Sequence, residues 1–427
     1  MKAYKKVWIA CVLLPVLFFG ILAGVKIGYK ISLEKKMKDI DKYAVSFEEF
    51  TIPSDAKVIG IGEASHGNRE FQIAKKNILQ KVVEEGNGKA IAFEISVGEG
   101  AMINDAIHEE EADLTELVGN LSYPLYDTPE IVELLEYMRE YNKGVSYDDS
   151  LVLYGVDMQG SGYSIDYLKE KCLSNPEYFK EDEINTLLNT DFEEHENIVA
   201  NREFFVNLSN RLSACEDSYS KSLGIQANTV VQAIDIPDYD EDPRGYANNR
   251  DNDMALNLKS YYEIECERGY SQIVITAHNG HVMKGSQDLS EAEDNLTMGE
   301  RIDRLFEGNY FCIGTEFYKG EVNIHTAGTY DDEYERADHF YVIEDPLASQ
   351  AKFFEGNTYC LDFTKIDDKN SKVYKTIHSG VFTGLVGEGY NLVGDVEKSH
   401  RMNLVPADRY DAMIYYYEVT PIDPIHY

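Results

Sequence analysis

Five apolar runs in this chain end in residues that can exchange protons. The first run leads into "GEASHGNREF" (62–71), where a glutamate and a histidine lie three residues apart among glycines. A histidine held by a nearby carboxylate can act as a general base on water, so the set predicts hydrolysis. The ionisable residues at or just after the five ends are Glu63, His66, Glu94, Asp157, His278, His281 and Glu316.

The spacing within the two histidine-bearing stretches suggests what each could do. The glycines around Glu63 and His66 permit tight backbone geometry, so the two side chains can meet within one turn. His278 and His281, in "AHNGHV", could polarise a carbonyl or protonate a leaving group. The chain has no G-x-S-x-G motif, and Cys312 lies inside the fifth run, so no serine or cysteine nucleophile is predicted. The sequence favours direct attack of activated water on an ester or a similar bond.

The same side chains could also bind a metal ion. Two or three histidines with glutamates are adequate ligands for zinc or manganese, although the HxxH spacing is only a modest signal. His108 in "HEEEA" and His195 in "EEHEN" lack the second histidine of a zinc-protease helix, which predicts solvated acidic helices there. No cofactor is predicted, and a divalent metal at the histidine and glutamate cluster stays open.

Strands must position these residues. The apolar runs are "KVIGIGE" (57–63), "KAIAFEI" (89–95), "SLVLYGVD" (150–157), "SQIVITAH" (271–278) and "YFCIGTEF" (310–317). They are apolar at both alternate sets of positions, which is typical of strands buried on both faces of a parallel sheet. Because the carboxyl ends of parallel strands lie on one edge, we expect all five ends to meet in one crevice.

Helical patterns separate these runs and predict an α/β fold, with a mainly parallel sheet flanked by helices. Residues from about 163 to 268 contain no convincing strand and are predicted to form a large helical insertion. The C-terminal pieces "EVNIHT" and "AMIYYYEV" are predicted to be edge strands that complete the same domain. We expect one catalytic domain over 47–427, with 284–295 as a lid loop.

An uncharged run of nineteen residues lies near the N-terminus, at 7–25. As a helix it would just cross a bilayer core roughly 30 Å thick. No A-x-A-like cleavage site follows, which favours an uncleaved anchor over the alternative, a signal peptide. The sequence thus predicts a short tail (1–6), a transmembrane anchor (7–25) and a stalk (26–46). A short N-terminus normally stays inside, which predicts a single-pass cell-membrane protein with its large domain outside the cell.

Charge narrows the class of partner. The chain has 76 acidic and 40 basic residues, a net charge of −36, and such a surface repels the phosphate backbones of nucleic acids. The expected partners are a small-molecule ester or lactone and, through the N-terminal helix, the membrane. The cysteines outside the anchor are scattered singly, which predicts packing residues without a disulfide framework.

These motifs resemble those of the erythromycin esterase-like family. The resemblance covers about residues 50 to 420, and the motifs keep the family's order and spacing. It implies an α/β protein with a helical insertion around a deep cleft, which hydrolyses the lactone ester of macrolides with a histidine base and bound water. The matching stretches are "GEASHGNREF" (62–71), "AFE" ending at Glu94, "YGVDMQG" (154–160), "RDNDMALN" (250–257), "AHNGHV" (277–282) and "MGERI" (298–302).

Carried onto this chain, the resemblance implies that His66 is the general base, with Glu63 beside it. Glu70 matches a further acidic position, and Lys75 and Lys76 stand where family members often carry arginine. The predicted catalytic residues are His66, Glu63, Glu94, His278 and His281. The candidate substrate-binding residues are Glu70, Lys75, Asp157 and Glu316.

Two other functions stay open. The cleft could hold a metal or haem without catalysis, which would resemble a distantly related class of haem-binding lipoproteins. Elemental analysis and an absorption spectrum would distinguish that function from hydrolysis. The chain could also be an exported surface protein whose site has decayed, although the intact set of glutamates and histidines argues against this.

Overall fold

The computed structural model describes residues 24, 26–286, 295–326, 335–390 and 392–426. Apart from Gly24, the predicted anchor at 7–25 lies outside these residues, and so does most of the predicted lid loop. Within the described part of the chain, no helix is both long enough and apolar enough to cross a membrane. In the predicted stalk, residues 26–33 are helical, and a 3₁₀ turn follows at Ile40–Lys42.

A ten-stranded sheet forms the centre of the protein. The strands in chain order are β1 (Ala44–Val45), β2 (Val58–Glu63), β3 (Gly88–Ser96), β4 (Val152–Asp157), β5 (Gln272–His278), β6 (Tyr310–Thr326), β7 (Arg336–Val342), β8 (Thr358–Asp362), β9 (Val381–Gly384), β10 (Gly389–Tyr390), β11 (Arg401–Leu404) and β12 (Ala412–Val419). The sheet runs in the order β1-β8-β12-β6-β2-β5-β3-β4, with β7 and β10 paired to β6. β9 and β11 form a separate antiparallel pair.

Helices cover both faces of this sheet. In chain order from residue 69 they are α1 (Arg69–Glu85), α2 (Val97–Ala106), α3 (Leu114–Gly119), α4 (Pro129–Asn142), α5 (Ser161–Ser174), α6 (Glu181–Asn189), α7 (His195–Ala200), α8 (Arg202–Ser213), α9 (Ser218–Asp235), α10 (Pro243–Glu267), α11 (Asn279–Val282), α12 (Met298–Leu305), α13 (Lys372–Ile377), α14 (Leu392–Glu397) and α15 (Pro406–Arg409). The mainly parallel α/β fold predicted from the sequence is therefore confirmed.

The five predicted apolar runs form β2 to β6. β5 pairs in parallel with β2 and with β3, and β2 pairs in parallel with β6, so their carboxyl ends share one edge. In β2, Val58 packs into the hydrophobic cluster on one face, while Ile59 and Ile61 pack into the cluster on the other. Both faces are apolar because both are covered, as the runs predicted.

The segment predicted as a helical insertion is helical in the structure. α5 to α10 follow one another between β4 and β5, and residues 158–271, all of them described, contain no strand. The helices of this segment enclose a hydrophobic cluster of their own, to which α5, α6, α8 and α9 contribute and which includes Phe205, Leu208 and Leu223. The division of the chain into anchor, stalk and catalytic domain remains a prediction.

The stretch "AMIYYYEV" differs from its prediction, because β12 is not an edge strand. It pairs in parallel with β6 on one side and antiparallel with β8 on the other. Tyr415 is buried there, and its ring stacks on Tyr359 of β8 with the centroids 5.2 Å apart. Tyrosine alternation suggested a half-exposed strand, but the helical turns near Ala348–Phe353 cover this part of the sheet.

Candidate active site

Glu63 is the last residue of β2, and its carboxylate holds two side chains from the segment that follows. Oε1 lies 2.9 Å from Nδ1 of His66, and Oε2 accepts a hydrogen bond of 2.9 Å from Nζ of Lys75. Lys75 is only 1% exposed and also donates to Oε1 of Gln72 at 2.6 Å. Glu63 and His66 therefore meet as the spacing predicted, with Lys75 as a buried counter-ion behind them.

The turn that carries His66 is fixed by the strands around it. The side-chain amide of Asn68 donates to two main-chain oxygens, one in β6 at 2.8 Å and one just after β12 at 3.0 Å. Gly67 packs against the main chain of Asn323, where an added Cβ would come within 2.0 Å of the carbonyl oxygen. Because a larger residue does not fit at that position, the turn presses closely against β6 and holds the imidazole in place.

Glu94 of β3 and Asp157 at the end of β4 both bind Arg250, which comes from α10. Nη2 of Arg250 lies 2.8 Å from Oε1 of Glu94 and 2.6 Å from Oδ2 of Asp157. Nε of Arg250 donates to the same Asp157 oxygen at 3.0 Å. This arginine joins the helical segment between β4 and β5 to the carboxyl edge of the sheet.

The histidines of "AHNGHV" complete the cluster. His278 ends β5, and its main-chain N–H donates to Oε2 of Glu94 at 3.0 Å. His281 lies in α11, with Nδ1 2.5 Å from Oδ1 of Asp251 and Nε2 3.3 Å from Oε1 of Glu94. The ring centroids of His66 and His278 are 4.8 Å apart. Three imidazoles from two separate loops thus lie in one group with the carboxylates.

The carboxylate of Glu63 controls the charge of His66. Burial would raise the pKa of Glu63, but the charges of Lys75 and His66 outweigh it and lower that pKa to about 2. Burial would likewise lower the pKa of His66, yet the bond to Glu63 and the charges of Glu63 and Glu94 raise it above its ordinary value. His66 is therefore a stronger base than a free imidazole.

The other two histidines are pushed in opposite directions. Burial and the charges of His66 and His281 lower the pKa of His278 to about 3. Burial also acts to lower the pKa of His281, but the carboxylates of Asp251 and Glu94 overcome it and raise the pKa to about 9. At neutral pH His278 is therefore neutral and His281 is an imidazolium.

Most of this cluster is buried, but three members reach solvent. The exposed fraction of the side chain is 13% for His66, 15% for Arg250 and 18% for His281. A molecule that enters from solvent would therefore meet a base, a guanidinium and an imidazolium on the same small surface.

Two of the residues predicted to bind substrate have their contacts elsewhere. Glu70 accepts hydrogen bonds of 2.9 Å from both the main-chain N–H and the hydroxyl of Thr420, and so ties α1 to the C-terminal segment. Glu316 is fully buried and accepts from the main-chain N–H groups of Phe317 and Gly384. Lys75 and Asp157 lie in the cluster. A role in binding substrate stays a prediction for all four.

Arg250 and Asp251 were not among the predicted site residues. Both stand in "RDNDMALN", which the resemblance included without giving either residue a role. In the structure Arg250 binds Glu94 and Asp157, and Asp251 binds His281 and accepts from the main-chain N–H of Met298 at 3.0 Å. The sequence signal that could have identified them is the adjacent pair of an arginine and an aspartate within this motif.

The geometry offers little for a metal ion. Among the described residues, no group of three or more histidine, cysteine, aspartate and glutamate side chains is arranged to hold one. The carboxylates of Glu63 and Glu94 are already engaged by the cations of Lys75, Arg250 and His281.

Comparison with solved structures places this fold among several proteins. A protein from Bacillus cereus is similar with a TM-score of 0.69 and 18% identity, over 90% of this chain and 97% of that one. A succinoglycan biosynthesis protein is similar with a TM-score of 0.63 and 18% identity, over 86% of this chain and 89% of that one. A histidine-to-asparagine variant of the erythromycin esterase EreC, in its open conformation, is similar with a TM-score of 0.58 and 14% identity, over 87% of this chain and 93% of that one.

Sequence comparison gives the family. Erythromycin esterase type II of Escherichia coli is 22% identical over 343 residues, which cover 71% of this chain and 79% of that protein. The family model described as erythromycin esterase matches residues 83–419, and Glu63 and His66 lie upstream of that match. The chain therefore belongs to the erythromycin esterase family of ester-cleaving hydrolases.

Proposed function

We propose that this protein hydrolyses a small-molecule ester or lactone with water that His66 activates. The contact between Glu63 and Nδ1 of His66 leaves Nε2 of the ring to accept a proton. Water attacks an ester carbonyl far faster when a positioned base removes its proton in the transition state. The observation that carries the proposal is this carboxylate-held imidazole, raised in pKa and partly exposed at a strand end.

The remaining histidines take different roles in this mechanism. His281 is an imidazolium at neutral pH and lies on the same exposed surface, so it stabilises the negative charge that develops on the carbonyl oxygen. His278 is neutral and lies against His66, where its low pKa keeps it from competing for the proton. Environments that separate the pKa values of neighbouring groups are how such sites divide acid and base functions.

Macrolide lactones are the first substrate class to test. Two of the similar proteins carry erythromycin in their names, which makes a large lactone a reasonable ligand for this family.

We further propose that residues 7–25 anchor the chain in the cell membrane with the large domain outside. That placement would give the site access to esters on the outer side of the cell.

A panel of esters and lactones, macrolides included, tests the reaction. Replacing His66 with alanine should lower kcat by about 10²–10⁴-fold on any hydrolysed substrate, since general-base catalysis contributes that much. His378→Ala is the matched control, because this histidine is exposed beyond α13 and has no contact with the cluster. Wild-type turnover by the His66 variant would contradict the proposed base.

Protease added to intact cells tests the proposed membrane placement, since a domain outside the cell is digested and a domain inside the cell is not.

A further inference from the structure

A groove separate from the candidate active site lies between residues 29–38 and the segment around α13. Its volume is about 530 Å³, within the range of small-molecule sites. Leu33 and Val381 are buried at its base, and Met37 and Pro346 add apolar surface. The groove thus has an apolar floor and room for a ligand of moderate size.

Lysines surround this groove. Five of the residues that line it are lysines, and no described lining residue is aspartate or glutamate, although acids outnumber bases 76 to 40 in the chain. Lys36 is paired with Asp41 at 2.5 Å, and none of the other four has a carboxylate partner among the described residues. Like charges held together around a cavity favour an anion there. The five are Lys35, Lys36, Lys38, Lys372 and Lys375.

The N-terminal side of the groove is firmly attached to the domain. The main-chain N–H of Met37 donates to Oε1 of Gln350 at 2.5 Å, and Lys352 pairs with Glu34 at 2.6 Å. The hydroxyl of Tyr29 donates to a main-chain oxygen of the domain at 2.8 Å. These contacts give the groove a defined shape in which both walls belong to one body.

The position of the groove points to a lipid as the source of the anion. Residues 26–33 form a helix directly after the uncharged run at 7–25, and eight helical residues span about 12 Å. If that run enters a bilayer, the groove lies within reach of the headgroup layer. Lys30 of this helix and Arg401, four residues after α14, both bind Glu344, at 3.2 Å and 3.1 Å, which places the end of α14 near the same helix.

α14 adds an apolar contact to this face. Leu392 and Val396 lie four residues apart on one side of it and are 66% and 75% exposed. Exposed apolar side chains next to lysines are typical of a surface that rests on a membrane interface. We propose that the groove binds the phosphate headgroup of an anionic phospholipid and so holds the catalytic domain against the membrane.

This docking would also orient the candidate active site. The wall of the groove at Val381 begins β9, and five residues later the main-chain oxygen of Val386 lies 3.2 Å from Nε2 of His278. The chain thus runs directly from the lysine-lined groove to the histidine cluster. A domain held at the groove would present its site at a fixed distance from the bilayer, whatever ester the site cleaves.

Hydrogen exchange of the full-length chain in vesicles tests the proposal. Peptides that contain residues 29–38 and 372–381 should exchange at least about tenfold more slowly in vesicles of phosphatidylcholine mixed with phosphatidylglycerol than in phosphatidylcholine alone, because each bound lysine contributes about a factor of five. The triple variant Lys38→Glu, Lys372→Glu, Lys375→Glu should lose this difference. These lysines are exposed, so the fold should persist, which exchange of the β2 to β5 peptides checks in the same experiment.

The triple variant Lys143→Glu, Lys180→Glu, Lys259→Glu is the matched control, since it makes the same change of charge at lysines that reach solvent and do not line the groove. It should keep the slow exchange. Equal exchange in the two kinds of vesicle would overturn the proposal. Equal slowing by inorganic phosphate added to phosphatidylcholine vesicles would also overturn it, because the groove would then be a site for free phosphate.

Discussion

The buried ion pair behind His66 allows the pKa of that histidine to be moved in either direction. Glu63→Gln keeps a side-chain oxygen for Nδ1 but removes the negative charge 2.9 Å from the ring. Lys75→Met removes the ammonium that neutralises the same carboxylate, also 2.9 Å away. The first change should lower the pKa of His66 and the second should raise it. Two substitutions at one ion pair therefore predict opposite effects.

The size of the shift follows from the contact. Two charges 4 Å apart interact by about 4 kcal/mol at an effective dielectric constant of about 20. Since one pKa unit corresponds to about 1.4 kcal/mol, removing the charge of Glu63 would lower the pKa of His66 by at most about three units. Relaxation and water reduce this value, so we expect a fall of about one to two units. Lys75 acts from behind the carboxylate, so its loss should raise the pKa by less.

The pH dependence of kcat/KM measures these shifts. A general base must be neutral, so activity rises as the pH passes upward through the pKa of His66. The acid limb should move to lower pH in Glu63→Gln and to higher pH in Lys75→Met. Shifts in the same direction, or no shift in either variant, would refute the electrostatic account of His66.

Stability provides the internal control for these variants. Glu63→Gln alone leaves the buried ammonium of Lys75 without its carboxylate, which should cost about 3–5 kcal/mol in the free energy of unfolding. The double variant Glu63→Gln, Lys75→Met removes both charges and should recover most of that loss. Its acid limb should still lie below the wild-type one, because the negative charge next to His66 is absent.

Three further predictions concern neighbouring groups. Asp251→Asn should lower the pKa of His281 from about 9, and the alkaline limb of kcat should move to lower pH. Arg250→Met leaves the buried carboxylate of Asp157 without its cation and Glu94 with His281 alone, so denaturant titration should show a loss of about 3–5 kcal/mol along with lower turnover. Gly67→Ala should lower the melting temperature, because the new Cβ would meet the main chain of Asn323. Gly162→Ala is its control, because the added Cβ would enter open space, and it should leave the free energy of unfolding unchanged or raise it by about 1 kcal/mol.

The strands could be predicted because burial on both faces leaves a mark in the sequence. Residues 57–63 and 271–278 have no polar alternation, and that pattern is typical of parallel strands covered by helices on both faces. The strand ends could also be predicted, since a parallel sheet brings its carboxyl ends together. The proximity of Glu63, Glu94 and His278 could therefore be predicted from the sequence alone.

The contributions of α10 could not be predicted in the same way. Arg250 lies in a long helix whose position against the sheet edge depends on how the helices between β4 and β5 pack. No periodicity marks a single polar residue that faces the site. Glu316 illustrates the converse error, because it ends the fifth apolar run but the structure continues β6 to Thr326, so this glutamate lies inside a strand. A residue at an apparent strand end is placed well when the strand ends at that residue or shortly after it, as β3 does two residues after Glu94.

The charges of the cluster explain why a proton on His66 is favourable. Among the described residues, the contacts of this cluster join four carboxylates with three cations. The cations are Lys75, Arg250 and His281, and the carboxylates are Glu63, Glu94, Asp157 and Asp251. In the proposed reaction His66 takes a proton from water, which adds a positive charge to a cluster rich in carboxylates as the hydroxide leaves to attack the carbonyl. Because these charges are already in place, the site needs little rearrangement to stabilise the protonated base. The bond to Glu63 and the charges of Glu63 and Glu94 raise the pKa of His66 at rest, which makes its pH profile the direct measure of how these carboxylates act.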